Sequence, residues 1–130
     1  MKTKKYRELQ VWQHSMKLTR SVYAITLGFP RDEMFGLISQ MRRAAVSIPS
    51  NIAEGHGHDS DKSSALYLTP ARGSLCELET QLELACDLKM LNAASARTLM
   101  ESTAEIGRML NGLLRVLHSS DRVTRQPSHR

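Results

Sequence analysis

Apolar residues recur along most of this chain at spacings of three and four, the period of a helix packed on one side. Val11, Leu18, Val22 and Ile25 form one row, and Trp12, Met16, Tyr23 and Leu27 form its neighbour, predicting a first helix over residues 8–27. Gly28 and Pro30 then stop it. Met34, Leu37, Ile38, Met41, Ala44, Ala45, Ile48 and Ile52 predict a second helix over residues 32–54, with Asp32 and Glu33 in its first turn, where the helix dipole favours negative charge. Leu68, Ala71, Leu75, Leu78, Leu82 and Ala85 predict a third, starting at the cap cluster of residues 59–61 and ending near 88. Ala96, Leu99, Thr103, Ile106, Leu110, Leu113 and Leu117 predict a fourth, capped by Asn92.

The steps in the last two rows alternate three and four, which suits the shallow crossing angle of four-helix bundles. Short connections place neighbouring helices antiparallel. The fold class expected is therefore all-α, an antiparallel up-down four-helix bundle. Pro49 lies inside the second apolar row and Pro70 inside the third. Each deletes a backbone donor, so the second helix should kink at Pro49, and the third should kink or start late around Pro70. Pro49 takes its missing bond from the carbonyl of Ala45. Residues 8–118 make the bundle, residues 1–7 a basic flexible arm, and residues 119–130 a polar, disordered basic tail. Met100, Met109, Leu114 and Val116 exceed what one bundle core absorbs, which suggests a surface for self-association.

Charge changes this picture only at the ends. The net charge is +5, yet Lys2, Lys4, Lys5 and Arg7 give residues 1–7 a charge of +4, the tail carries +2, and the body carries −1. A polyanion would thus be gripped by the tails or by a local patch, not by the whole fold. Arg108, Arg115 and Arg122 repeat every seven residues and share one face of the fourth helix. Lys2, Lys4, Lys5, Arg7, Arg108 and Arg115 are the candidate nucleic-acid contacts. The competing readings of the arginine row are an ordinary solvated face, salt-bridged to the acidic third helix, and a basic face that docks on an acidic face of another copy.

Candidate chemistry is sparse. Gln40, Arg43, Ser47, Asn51 and Glu54 line one side of the second helix, and Ser74, Glu77 and Gln81 line one side of the third. Folded back on each other, these helices bring Arg43 within about a turn of Ser74 and Glu77. A polar network across the helix interface, with Arg43 paired to Glu77, is favoured over a ligand or RNA site, because half-buried polar groups need partners. Glu54, His56, His58 and Asp59 lack the paired spacing of a structural metal site. Ser47 or Ser50 with His56 and Asp59 lacks a nucleophile elbow. No phosphate loop or dinucleotide fingerprint occurs. No catalytic residue, metal or cofactor is expected. Cys76 and Cys86 sit ten apart on one helix, too far to bridge, as expected of thiols in a reducing compartment. The basic start leads into RELQVWQH, not an apolar run, and no stretch of about 20 apolar residues occurs, so the expected location is the cytoplasm, with no membrane partner.

Several segments together carry a family resemblance. They are Leu9 to Gln13, Phe29-Pro30, Glu33, Gly36-Leu37, Gln40 to Ala45, the nine residues SIPSNIAEG from Ser47 to Gly55, Gly73-Ser74-Leu75, Glu77-Leu78 and Gln81-Leu82. In this order the chain resembles, over residues 6–118, the bacterial four-helix-bundle family encoded in intervening sequences of 23S ribosomal RNA genes. That family is related to the accessory variability determinant proteins of diversity-generating retroelements, basic pentameric bundles that bind nucleic acid and a reverse transcriptase. The resemblance implies a ring-like homopentamer without enzymatic activity or cofactor. It also implies architectural roles for Gln40, Arg43, Ser47, Pro49, Asn51, Glu54, Ser74 and Glu77. Pro70 and the net charge of −1 on the body depart from the basic relatives. The function expected is a homo-oligomeric scaffold or adaptor in an RNA-linked process, with itself, RNA or a nucleoprotein as partner. The alternative is a nucleic-acid-binding protein acting through the basic tails and the fourth helix.

Overall fold

A computed structural model of the chain describes residues 5–57 and 60–125, with side chains described as far as residue 119. Four helices account for nearly all of it, and no strand occurs among the described residues: α1 (Gln10–Thr26), α2 (Ser39–His56), α3 (Asp61–Asp87) and α4 (Ala93–Arg125). A single 3-10 turn, Tyr6–Glu8, precedes α1. Each helix packs on the next, and α1 also packs on α4, closing a four-membered bundle. Gly55 of α2 meets Ser64 and Tyr67 of α3, while Ser47 meets Ser74. Moving back along α2 therefore moves forward along α3, the signature of an antiparallel pair. Arg72 with Asn111 and Leu75 with Gly107 set the same sense for α3 and α4. Thr19 with Ala45 and Thr26 with Arg42 do so for α1 and α2.

The expected caps form. Ser60 accepts from the Ser63 amide at 3.0 Å at the start of α3, and Asn92 accepts from the Ser95 amide at 2.8 Å at the start of α4. These bonds satisfy amides that a helix leaves without an internal partner. Between α3 and α4, Lys89 adopts the left-handed conformation, with φ at 65°, that closes a helix C-terminus.

All six residues of the α3 row are buried, as are the second-helix positions from Leu37 to Ile52. Leu18, Val22, Met41, Ile48, Leu78, Leu82, Ile106 and Leu110 form the centre of the core. Pro49 and Pro70 both lie inside helices that continue past them, so α3 does not start late. The Pro49 position is accommodated by a neighbour. The Thr19 hydroxyl lies 2.8 Å from the Ser15 carbonyl of its own helix and 3.0 Å from the Ala45 carbonyl of α2. Ala45 is the residue whose carbonyl Pro49 leaves without an amide. Pro70, by contrast, is exposed, as is Leu66 one turn earlier, so water reaches that carbonyl. Gly55 allows α2 and α3 to approach closely: a Cβ there would lie 3.0 Å from Tyr67 Cβ and 3.1 Å from the Ser64 carbonyl. Ser64 fixes this crossing by donating its hydroxyl to the Gly55 carbonyl at 2.9 Å.

Four expectations need correction. The second helix does not run from residue 32: a 3-10 turn (Arg31–Glu33) and a wide turn (Met34–Ile38) precede α2, with Gly36 at φ −110° and ψ −112°. The Glu33 carboxylate accepts from the Leu37 amide at 3.1 Å and holds this turn in place. The helical part of the chain does not end at residue 119, because α4 continues to Arg125. The fourth-helix row drifts: after Leu110 the buried position is Leu114, at 2% exposure, and Leu113 turns toward solvent. A strict 3.5-residue row slips around a straight helix of 3.6 residues per turn, and the slip appears at the far end. Lastly, the core does absorb Leu114, and Met100 and Met109 pack against it, leaving Val116 as the only one of those four fully outside. Residues 1–4, with Lys2 and Lys4, lie outside the described residues.

Candidate functional site

The polar stripe of α2 faces that of α3, but only its middle is joined. Ser47 Oγ and Ser74 Oγ lie 2.8 Å apart. Asn51 Nδ2 donates to the Ser47 carbonyl at 2.9 Å and to its hydroxyl at 3.0 Å. Small hydroxyl side chains on both helices let this bond form across a close interface. Arg43 stands one turn from Ser47, and Glu77 one turn from Ser74 in the opposite direction, so they share a level. Both are exposed, and no ion pair joins them among the described residues. The expected Arg43–Glu77 pair is therefore corrected: solvent screens both charges, and an exposed pair gains little by fixing two long side chains. Gln40 and Glu54 are exposed at the ends of the stripe.

Gln81 departs from the rest of the stripe. It is only 6% exposed, and its Oε1 is buried without a hydrogen-bond donor. A buried acceptor left unpaired costs roughly 1–3 kcal/mol. Gln81→Leu, which removes the orphan at similar volume, should raise unfolding stability by about 1 kcal/mol, or roughly 3–6 °C in midpoint for a chain of this size. Thermal melts at matched protein concentration test this; a lower midpoint would mean that Gln81 has a partner in the assembled protein.

The larger feature borders this stripe on the side of α2 that meets α1, and Arg43 and Ser47 line it too. Arg42 donates its Nε to the Thr26 hydroxyl at 2.9 Å, and its guanidinium sits 4.6 Å from the centre of the Tyr23 ring. That arrangement combines a hydrogen bond with a cation–π contact. Around it opens a concavity of about 610 Å³ lined by Tyr23, Met34, Phe35, Ile38, Arg42 and Val46, among others. Phe35 is 96% exposed at its rim, pushed outward by the wide turn before α2. Leu27, one turn beyond Tyr23, is 80% exposed. The apolar period of the second helix runs on through Leu37 and Ile38, so nothing in the pattern singled out Phe35.

Among the candidate nucleic-acid contacts, Lys5, Arg7, Arg108 and Arg115 are exposed. Arg7 stacks 4.8 Å from the Tyr6 ring, which in turn meets Trp12 edge-on at 5.3 Å. Lys2 and Lys4 lie outside the described residues, as does the Arg122 side chain. His58 and Asp59 also lie outside them, and no group of three metal-ligating side chains occurs among those described. Cys76 and Cys86 are free thiols. No described helix is long and apolar enough to cross a membrane.

Comparison with known proteins agrees with the fold. No curated protein matches the chain. A crystal structure of an S23 ribosomal protein family member from Bacteroides thetaiotaomicron, itself of unknown function, superposes with a TM-score of 0.73 at 20% identity, covering 80% of this chain and 97% of that one. At that identity the likeness concerns the fold alone. The family model described as 23S rRNA-intervening sequence protein matches residues 7–112, and with the bundle and its SIPSNIAEG helix in place the chain belongs to that family.

Proposed function

We propose that this protein is a non-enzymatic, homo-oligomeric helical scaffold or adaptor of the cytoplasm, working in an RNA-linked process. The observation that carries this reading is the apolar surface around Phe35, where Tyr23, Leu27, Met34 and Val46 are also exposed. Large apolar side chains grouped on one surface mark interaction sites, whereas scattered ones do not. The family resemblance sets the expected number of copies at five. The RNA link rests on the family's description, which joins it to 23S rRNA intervening sequences.

A second reading, nucleic-acid binding, is supported by the exposure of Lys5, Arg7, Arg108 and Arg115. The two readings separate by salt, because phosphate contacts release counterions and weaken steeply as salt rises. The test is the solution mass of the full chain at low and near-physiological salt, alone and with a mixed pool of structured RNA. The scaffold reading expects a multimer that survives both salts and ignores RNA at the higher one. A complex with RNA that persists near physiological salt would replace it with the second reading, and a monomer throughout would sink it.

A further inference from the structure

We propose that the end of the bundle remote from Phe35 holds a site for a single-chain anionic amphiphile, a fatty acid of about ten carbons. Its alkyl chain lies between α2, α3 and α4, and its carboxylate lies beside Arg108. The site is separate from the apolar surface that carries the scaffold reading, so either can fail without the other.

Unequal helix lengths create the space. α4 continues to Arg125, whereas α1 begins only at Gln10, at the level of Met109 and Leu113. Past that level the bundle has three helical walls, and its fourth side is taken by the short turn at Tyr6–Glu8 and the extended Leu9. There a cavity of about 190 Å³ opens, lined by Ile52 and His56 of α2, Leu68 of α3, and Leu113, Val116 and Leu117 of α4, among others. The slip of the α4 row contributes, because the buried position passes to Leu114 and leaves Leu113 at the rim. The polar side chains of the lining are His56 and Ser64, and the Ser64 hydroxyl is already bonded to the Gly55 carbonyl. Apolar walls give water few partners, and a dry cavity of about 150 Å³ is large enough to bind benzene.

The cavity has a charged exit. Leu9, Leu113 and Val116 also line a trough of about 420 Å³ between α1 and α4, and Gln10, Gly112 and Arg108 line it further along. Arg108 is the one charged side chain in that lining, it is exposed, and no ion pair holds it among the described residues. Glu105, one turn earlier on α4, does not line the trough. The opposite exit, past Leu117, meets Lys62 together with Asp61, whose charges offset each other. An anionic head therefore belongs at the Arg108 end, where a guanidinium and a carboxylate pair through two parallel hydrogen bonds. From Arg108 to Leu117 the helix rises about 13 Å, the extended length of roughly ten carbons. Burial of the chain supplies the affinity, and the single cation fixes which way the chain enters.

The experiment titrates the full chain calorimetrically with decanoate, kept below the concentration at which it forms micelles. Hexanoate, 1-decanol and phosphatidylglycerol vesicles are the comparisons. Decanoate should bind saturably, and hexanoate roughly a hundredfold more weakly, because each methylene taken out of water is worth about a factor of four. Arg108→Gln should weaken decanoate about tenfold and leave 1-decanol unchanged. Gly112→Leu should abolish binding of both by filling the trough. It should melt no lower than wild type, since a Cβ at Gly112 meets nothing within 4 Å and leucine favours a helix over glycine. Absence of saturable decanoate binding would overturn the site. In that case cosedimentation with the vesicles would make the trough a membrane contact, and a changed solution mass of Gly112→Leu would make it a contact with a second copy. Binding that survives Gly112→Leu would place the amphiphile elsewhere and overturn the site equally. An Arg108→Gln variant that binds decanoate as wild type does would overturn the place given to the carboxylate.

Discussion

Leu78→Ala is expected to cost about 2–5 kcal/mol of unfolding stability, the range for truncating a large buried aliphatic side chain. Leu78 is completely buried on α3, a helix that packs against both α2 and α4. The loss has two parts: the transfer energy of the removed methyl groups and the cavity left where rigid helices cannot close in. Against a total stability of about 5–15 kcal/mol this is a large fraction. Leu66→Ala is the control on the same helix, since Leu66 is 67% exposed and its truncation should stay within about 0.5 kcal/mol. Urea unfolding of both variants at equal concentration checks the pair. Equal costs would mean that the α3 row is not the centre of the core.

The second large effect concerns the proline of α2. Thr19→Val keeps the shape of the side chain and removes the hydroxyl that reaches the Ala45 carbonyl. Ala45 is fully buried, so no water replaces the lost donor, and the expected cost is about 1–3 kcal/mol. The mechanism predicts a specific rescue. Pro49→Ala restores an amide four residues after Ala45, and in that background Thr19→Val should cost less than about half as much. A double-mutant cycle measures the coupling directly. A cost that is the same with proline or alanine at 49 would show that Thr19 acts through something other than the orphaned carbonyl.

Thr19 also illustrates which parts of this molecule could be read from its residues. The missing bond at Ala45 follows from Pro49 and simple counting along a helix. The donor that replaces it comes from another helix, 26 residues earlier, and only packing brings it there. The same division runs through the fold. Buried rows on α2 and α3 follow from spacing, because one side of a helix must leave water whatever its neighbours are. The wide turn at Met34–Ile38 does not, because the apolar period continues across it while Gly36 and the Glu33–Leu37 bond redirect the backbone. Phe35, which the apolar period does not single out, is thereby turned outward as the most exposed aromatic of the described residues. In the polar stripe, periodicity brought Ser47 opposite Ser74, and the antiparallel register set Arg43 level with Glu77. Whether two charges at one level meet depends on side-chain directions and solvent, and these two stay apart.

The close antiparallel crossing of α2 on α3 through Gly55 and Ser64 has a consequence for the order in which the chain folds. These helices are joined by a short connection, so their contacts link residues near in sequence and close small loops. Packing α1 on α4 instead brings together residues such as Val11 and Met109, closing a loop of roughly a hundred residues at a higher entropic cost. The α2–α3 hairpin is therefore the expected nucleus, with α1 docking late. Truncations along α3 should slow folding, while equivalent truncations on the outer half of α1 should mainly speed unfolding. Stopped-flow folding and unfolding rates of such variants would decide it, and slowed folding from the α1 set would reverse the order.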